Sequence, residues 1–512
     1  MRIKGTSPRL FFLLPILLCL SACGGGGGGG AEGNQPIIEL GVYIKASNAD
    51  IGEFSEFGYS TAISGDGKTL AVGAPQENVA SIGINGNQYD NTSNWVGAVY
   101  VFVLSPSGWE QQAYIKASNA DWQDQFGKDV SLSYDGNTLA VGAFGEDGSD
   151  TGVNADQTNN ASENSNSGYS YGAAYIFNRI DTEWRQEAYI KRPVSSISNF
   201  GSSLNVSADG HCVAISGFRL EGVDVFIKGA GDWEFEETLI PSSAGYQDRF
   251  GESIAVNVDC TRIAIGSPGE DSAATGIDGD AFDNSLFNTG AVYIFDKLLG
   301  NWEESAYIKA RVTDQYDYFG WSLDLSDDGD VLAVGAFSED SNAEGVGGNE
   351  NNDLTYNSGA AYIFTYEGSQ WIQQAYIKST NTGQLPEYTV LYDHEFGRSV
   401  AISGDGKILL VGSPLEQGGS AGMNQDIRNF GLFDSGAAFT YVYENGLWVE
   451  GDYIKANNPD GADRFGSSVS VDYEGKNLLI GAIGEEGGDP GINGDAADNT
   501  SYAAGAAYLF SP

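Results

Sequence analysis

Histidine is nearly absent from this chain: His211 and His394 are the only two among 512 residues. They lie far apart and neither has a nucleophile motif beside it, which removes the simplest hydrolase constellations. Cysteine is scarce too, with four residues and no His/Cys cluster at zinc-ligand spacing. Positive charge is low, 25 Lys and Arg against 70 Asp and Glu, for a formal balance of −45. Such a surface repels nucleic acid and anionic lipid headgroups and attracts cations. No glycine loop of the phosphate-cradling kind opens a helix. Carboxylates are so abundant that none stands out as a general acid. The one long apolar run, Leu10 to Leu20, is too short for a permanent transmembrane helix.

That run has another use. It follows Arg2, Lys4 and Arg9 and ends in Leu20-Ser21-Ala22-Cys23, the layout of an export signal. The last four residues resemble the lipobox of bacterial lipoproteins, a family in which the signal is cut before the cysteine and its thiol carries diacylglycerol. The resemblance implies a signal over 1–22, lipidation at Cys23, and attachment to the cell envelope. Gly24 to Gly30 are seven consecutive glycines, a flexible coil that suits a tether, so 23–36 is assigned to anchor and tether. Asp does not follow the cysteine, which by the same resemblance points to the outer membrane; the periplasmic and surface-exposed sides stay open. Removal of the signal leaves 22 Lys and Arg against 70 Asp and Glu, a balance of −48.

The rest of the chain, 37–512, is repetitive. Phe-Gly recurs at Phe57, Phe126, Phe200, Phe250, Phe319, Phe396 and Phe465. After each comes a short strand and a tight turn, Asp-Gly in five copies, as in "SGDG" at Ser64 and "SDDG" at Ser326, a strong hairpin signal. A second strand such as "TLAVGAP" leads to a variable polar loop. The third strand is nearly constant, "GAVYVF" at Gly97 or "GAAYIF" at Gly359, and a turn with a Trp opens a fourth ending in "AYIK". Four antiparallel strands written seven times predict an all-β, seven-bladed β-propeller. The repeated apolar and aromatic residues, the Trp included, are core of packed blades. The last copy stops at "GAAYLFSP" without a fourth strand, while an orphan "GVYIKAS" stands at Gly41. The N-terminal strand is therefore expected to complete blade seven and close the ring.

Phe57-Gly58 followed by Gly73-Ala74-Pro75 resembles the FG-GAP repeat of integrin alpha-subunit propellers, and "YIKAS" with "GAVYVF" is similar to bacterial relatives of that family. Copy three is short and departs from the pattern. In the integrin-type repeat calcium sits in the first hairpin; here that hairpin is only a tight turn without room for the ligands, so the site is not carried over.

Acidic residues return one loop later. A Glu follows each Gly-Ala-Pro-like end, and an [Asn/Asp]-x-[Asp/Asn]-x-x-[Asp/Asn] series comes next. Candidate calcium ligands are Glu77 with Asn85, Asn87 and Asp90; Glu146 with Asn154 and Asp156; Glu270 with Asp278, Asp280 and Asp283; and Glu485 with Asn493, Asp495 and Asp498. The spacing starts like a calcium loop but lacks the later bidentate Glu, so loops of Asx-turns are the competing reading. Asp124, Asp248, Asp317, Asp393 and Asp463 lead into first strands on the same side of the disc, which would make that face acidic and loop-rich. Cys19 lies in the signal. Cys212 and Cys260 stand near the first turns of copies three and four, as a cross-blade disulfide or as two inert thiols.

These features predict a lipid-anchored binding or adhesion module without catalysis, facing an extracellular protein or glycan through its loop-rich face. An enzyme acting on exported polysaccharide, and a purely structural surface protein, are the alternatives.

Overall fold

The computed structural model describes residues 41–49, 54–159, 170–218, 222–243, 245, 247–382 and 394–512. The signal, Cys23, the tether, residues 37–40 and Asp393 lie outside them.

Seven four-stranded antiparallel sheets form the chain, each in sequential order. Blade one comprises Ser60–Ile63, Thr69–Ala74, Ala98–Ser105 and Gly108–Ile115. Blade seven is the exception in connectivity: Phe465–Val471, Leu478–Ala482 and Ala506–Phe510 are completed by Val42–Ile44. Val42 pairs with Leu509, Tyr43 with Tyr508 and Ile44 with Ala507. The first strand to fold out of the leader thus removes the exposed edge of the last blade. Blade three keeps four strands despite its short copy.

Each motif has a mechanical reason. Phe126 is fully buried and meets Tyr175 and Phe177 of its own blade edge-on, at 5.4 and 5.9 Å between ring centres. Gly97 forms a parallel bridge with Phe126 of the next blade, at φ 83°, and a Cβ there would lie 2.1 Å from the Phe126 carbonyl oxygen. Only glycine allows that crossing. Of the tryptophans that open fourth strands, Trp184, Trp233, Trp302, Trp371 and Trp448 are buried and Trp109 is half-buried. Trp184, Trp233, Trp302 and Trp448 donate their indole N–H to Gln or Glu of the preceding blade.

At the tight-turn end the first hairpins clasp one another through backbone bonds. Asp66 N donates to Tyr134 O, Tyr134 N to Ala208 O, Asp209 N to Val258 O and Val258 N to Asp327 O. Asp327 N continues to Gly404 O, Asp405 N to Tyr473 O, and Tyr473 N returns to Gly65 O. The belt is closed through all seven blades.

Candidate functional site

The glutamates expected beside the Asn/Asp series are elsewhere. Each carboxylate is buried against the Lys of "YIK" in its own blade: Glu77 with Lys116 at 2.6 Å, Glu146 with Lys191, and Glu270 with Lys309 at 2.6 Å. Glu339 pairs with Lys378, Glu416 with Lys455 and Glu485 with Lys45 in the same way. The Tyr of the motif donates its hydroxyl to the same group, as from Tyr114 to Glu77 and from Tyr43 to Glu485. An Asn from the preceding blade's last loop adds an amide donor, Asn48 to Glu77 and Asn119 to Glu146. Burial lowers the pKa of each of these lysines, and the partner glutamate opposes that shift. "YIKASN" is therefore a buried ionic knot that ties neighbouring blades. Its oxygens are taken.

The Asn/Asp series folds as pins and turns. Oδ1 of the first residue accepts the backbone N–H of the knot's Tyr: Asn85 from Tyr114, Asn154 from Tyr189, Asp278 from Tyr307 and Asn493 from Tyr43. The second residue closes an Asx-turn, Asn87 onto Tyr89, Asp156 onto Thr158, Asp280 onto Phe282 and Asp495 onto Ala497. Asp90 accepts from the Thr92 hydroxyl. Among the described residues no three Asp, Glu, His or Cys side chains converge to hold a metal. Glu270 thus faces Lys309, while Asp278 and Asp280 accept the backbone N–H groups of Tyr307 and Phe282.

The aspartates before Phe-Gly are not surface charge either. Asp124, Asp248, Asp317 and Asp463 are buried. Each accepts the backbone N–H of the residue three before it. Burial, then the neighbouring glutamate for Asp124 and Asp317, raises their pKa, and Asp463 is pushed up to about 7. Cys212 and Cys260 are bonded to each other, joining blades three and four. Two segments have nucleophile-elbow spacing, Gly168–Gly172 and Gly418–Gly422. Neither leads into a described helix, which that turn requires.

What sequence reading missed is on the axis. A cavity of about 750 Å³ opens where the first strands meet, bounded by residues that flank Phe-Gly and by the starts of the loops after the second strands. Four cations line it, Lys128, Arg249, Arg398 and Arg464, among the aromatics Tyr59, Phe144 and Trp321. The Arg398 guanidinium lies 4.4 Å from the Trp321 ring centre and 4.8 Å from Phe337; Arg249 approaches the same indole at 5.5 Å. Lys128 Nζ sits 4.1 Å over Tyr59. Carboxylates are present as well. Burial raises the pKa of Glu252, opposed by Arg249, Lys128 and Arg398, and pushes Asp129 up to about 7. The residue before Phe is left-handed in all seven blades, from Glu395 at φ 49° to Tyr318 at 56°, so the conformation belongs to the blade crossing rather than to one site.

The FG-GAP repeat family model matches residues 109–157 and 302–364. The chain carries FG-GAP repeats. With seven blades around them, it is consistent with an integrin alpha-like N-terminal propeller. Among solved structures it is similar to the WD40 repeats of RRP9 (10% identity, 92% of this chain and 100% of that one, TM-score 0.47). It is also similar to the propeller domain of Cps50 (Swd1) from Myceliophteria thermophila (9%, 88% and 96%, TM-score 0.46). Hydrazine synthase of Kuenenia stuttgartiensis matches at 12% identity over 84% of this chain and 92% of that one, with a TM-score of 0.42. These likenesses carry no functional argument. No curated protein matches.

Proposed function

We propose that this protein is a non-enzymatic binding module of the bacterial cell envelope, anchored by a lipid on Cys23, with its ligand site in the axial cavity. One observation carries the reading. In a chain with 70 acidic and 25 basic residues, four cations and an aromatic cluster gather around a single cavity of ligand-binding size. The FG-GAP match supports a binding or structural module. The leader and glycine tether supply the envelope placement, with the outer membrane favoured.

The test is a panel of immobilised glycans and proteins probed with the wild type and with an Arg249→Gln/Arg398→Gln double variant. Ligand capture by the wild type that the double variant loses supports the reading. Equal capture by both, or release of cleaved product from the panel, overturns it. Mass spectrometry should find acyl chains on Cys23, and Cys23→Ser should leave the membrane fraction; an unmodified Cys23 overturns the anchor.

A further inference from the structure

Two groups of arginines contrast among the described residues. Arg179, Arg192 and Arg262 have their guanidinium groups bonded to protein acceptors: Arg179 to Asn137, Gln112 and Thr69, Arg192 to Asp224, and Arg262 to both oxygens of Asp296. Arg249, Arg398 and Arg464 differ. Among the described residues their guanidinium groups form no hydrogen bond or ion pair, and Arg249 and Arg398 rest on aromatic rings while their donors are left unused. All three line the axial cavity. A guanidinium held flat against an indole is oriented in advance, and its fork of N–H groups matches a carboxylate.

The surrounding groups narrow the ligand. Ser202, Ser467, Thr61 and Asn199 bring hydroxyl and amide groups to the lining; Thr61, Asn199 and Ser467 already donate to Ser468, Phe144 O and Arg464 O, so what they offer a hydroxyl-rich molecule is chiefly acceptor oxygens. Asp129, Glu252 and Glu395 in the same lining offset part of the positive charge, which disfavours a ligand dense in sulfate or phosphate. The formal charge of −45 repels long polyanions at a distance. A short molecule, or the free end of one, meets that barrier least. About 750 Å³ has room for a few sugar rings.

From these observations we infer that the axial cavity takes a short uronic-acid oligosaccharide, its carboxylate held by Arg249 and Arg398. This rests on the binding reading above and names its ligand class. Calorimetric titration of the whole protein with trigalacturonate, a neutral trisaccharide and tetraglutamate separates the possibilities. Trigalacturonate should bind; the neutral sugar should bind about tenfold or more weakly, the size of a lost charge-assisted contact. Arg249→Gln/Arg398→Gln should weaken trigalacturonate by a similar factor, and Arg185→Gln, an exposed side chain of the strand Glu183–Ile190, should not. Lys128→Gln is the second variant if the double one loses its thermal transition, and it too should weaken binding. Binding of tetraglutamate with silence from trigalacturonate overturns the uronate class while leaving the cavity a ligand site. Silence from both probes also overturns the uronate class, and the binding reading is then decided by the panel. Unchanged affinity for trigalacturonate in the folded variants removes the sugar from the axis.

Discussion

Lys45 and Glu485, at opposite ends of the folded chain, form an ion pair of 2.5 Å in which neither side chain is exposed to solvent. The pair ties the first strand of the chain to the last blade. Tyr43 and Asn458 bind the same carboxylate, so removal of either charge leaves the other buried within a partly satisfied network.

Lys45→Met should therefore cost about 3–5 kcal/mol of unfolding free energy, the usual effect of stranding one buried charge. Urea melts followed by tryptophan fluorescence would measure it. The double variant Lys45→Met/Glu485→Leu should recover much of the loss. If the single variant melts like the wild type, the knot does not hold the ring.

The pH dependence has a defined sign. Burial raises the folded-state pKa of Asp129, Asp324 and Asp463 to about 7, above the ordinary carboxylate value. Between about pH 4 and 7 the folded protein then holds more protons than the unfolded chain, so stability falls as pH rises across that window. Asp129 and Asp324 accept backbone N–H groups of Leu204 and Ile402 in the next blade through Oδ2, a bond that an Asn oxygen retains, and those of Val130 and Leu325 through Oδ1, a bond that the Asn amide nitrogen loses. Asp129→Asn/Asp324→Asn should flatten the curve between about pH 4 and 7, whatever the lost Val130 and Leu325 bonds cost at every pH. Parallel curves for variant and wild type would contradict this.

The Cys212–Cys260 bond closes a sequence separation of 48 residues. Cross-linking a loop of that size contributes about 2–4 kcal/mol. Cys212→Ala/Cys260→Ala should lower the melting temperature by the corresponding amount, and reductant should do the same to the wild type but not to the variant.

Calcium is a separate question. The first two oxygens of each Asn/Asp series already serve as pins and turns, and the glutamates serve lysines. Melting curves in millimolar calcium and in sodium chloride of equal ionic strength should therefore coincide. A calcium-specific rise that Asp278→Ala/Asp280→Ala/Asp283→Ala abolishes would make these loops cation sites after all.

Local signals made the propeller legible. Asp-Gly between alternating apolar residues marked five of the seven hairpins, and the unfinished last copy pointed to Tyr43 and Ile44 as the missing strand. Charged residues misled because charge reads as exposure. Lys116 and Glu77 occupy separate motifs 39 residues apart, and only the blade's fold shows that they meet. The axial cations were hidden for another reason. Lys128, Glu252, Trp321 and Arg398 all occupy the position after Phe-Gly, where the seven copies carry six different residues. A repeat search discards that column as noise. Comparing the column across the seven copies, once the ring is assumed, would have exposed the cluster.

The hairpin belt also sets a load path. It fastens the blades at the tight-turn ends of their inner strands, whereas the N-terminal end of the chain enters through Val42–Ile44, the last strand in the sheet order of blade seven. A pull on that end loads a three-residue ladder and the Lys45 clasp first. The belt bears none of it until they give. Under tension the disc would shed its borrowed strand while the seven clasped hairpins hold.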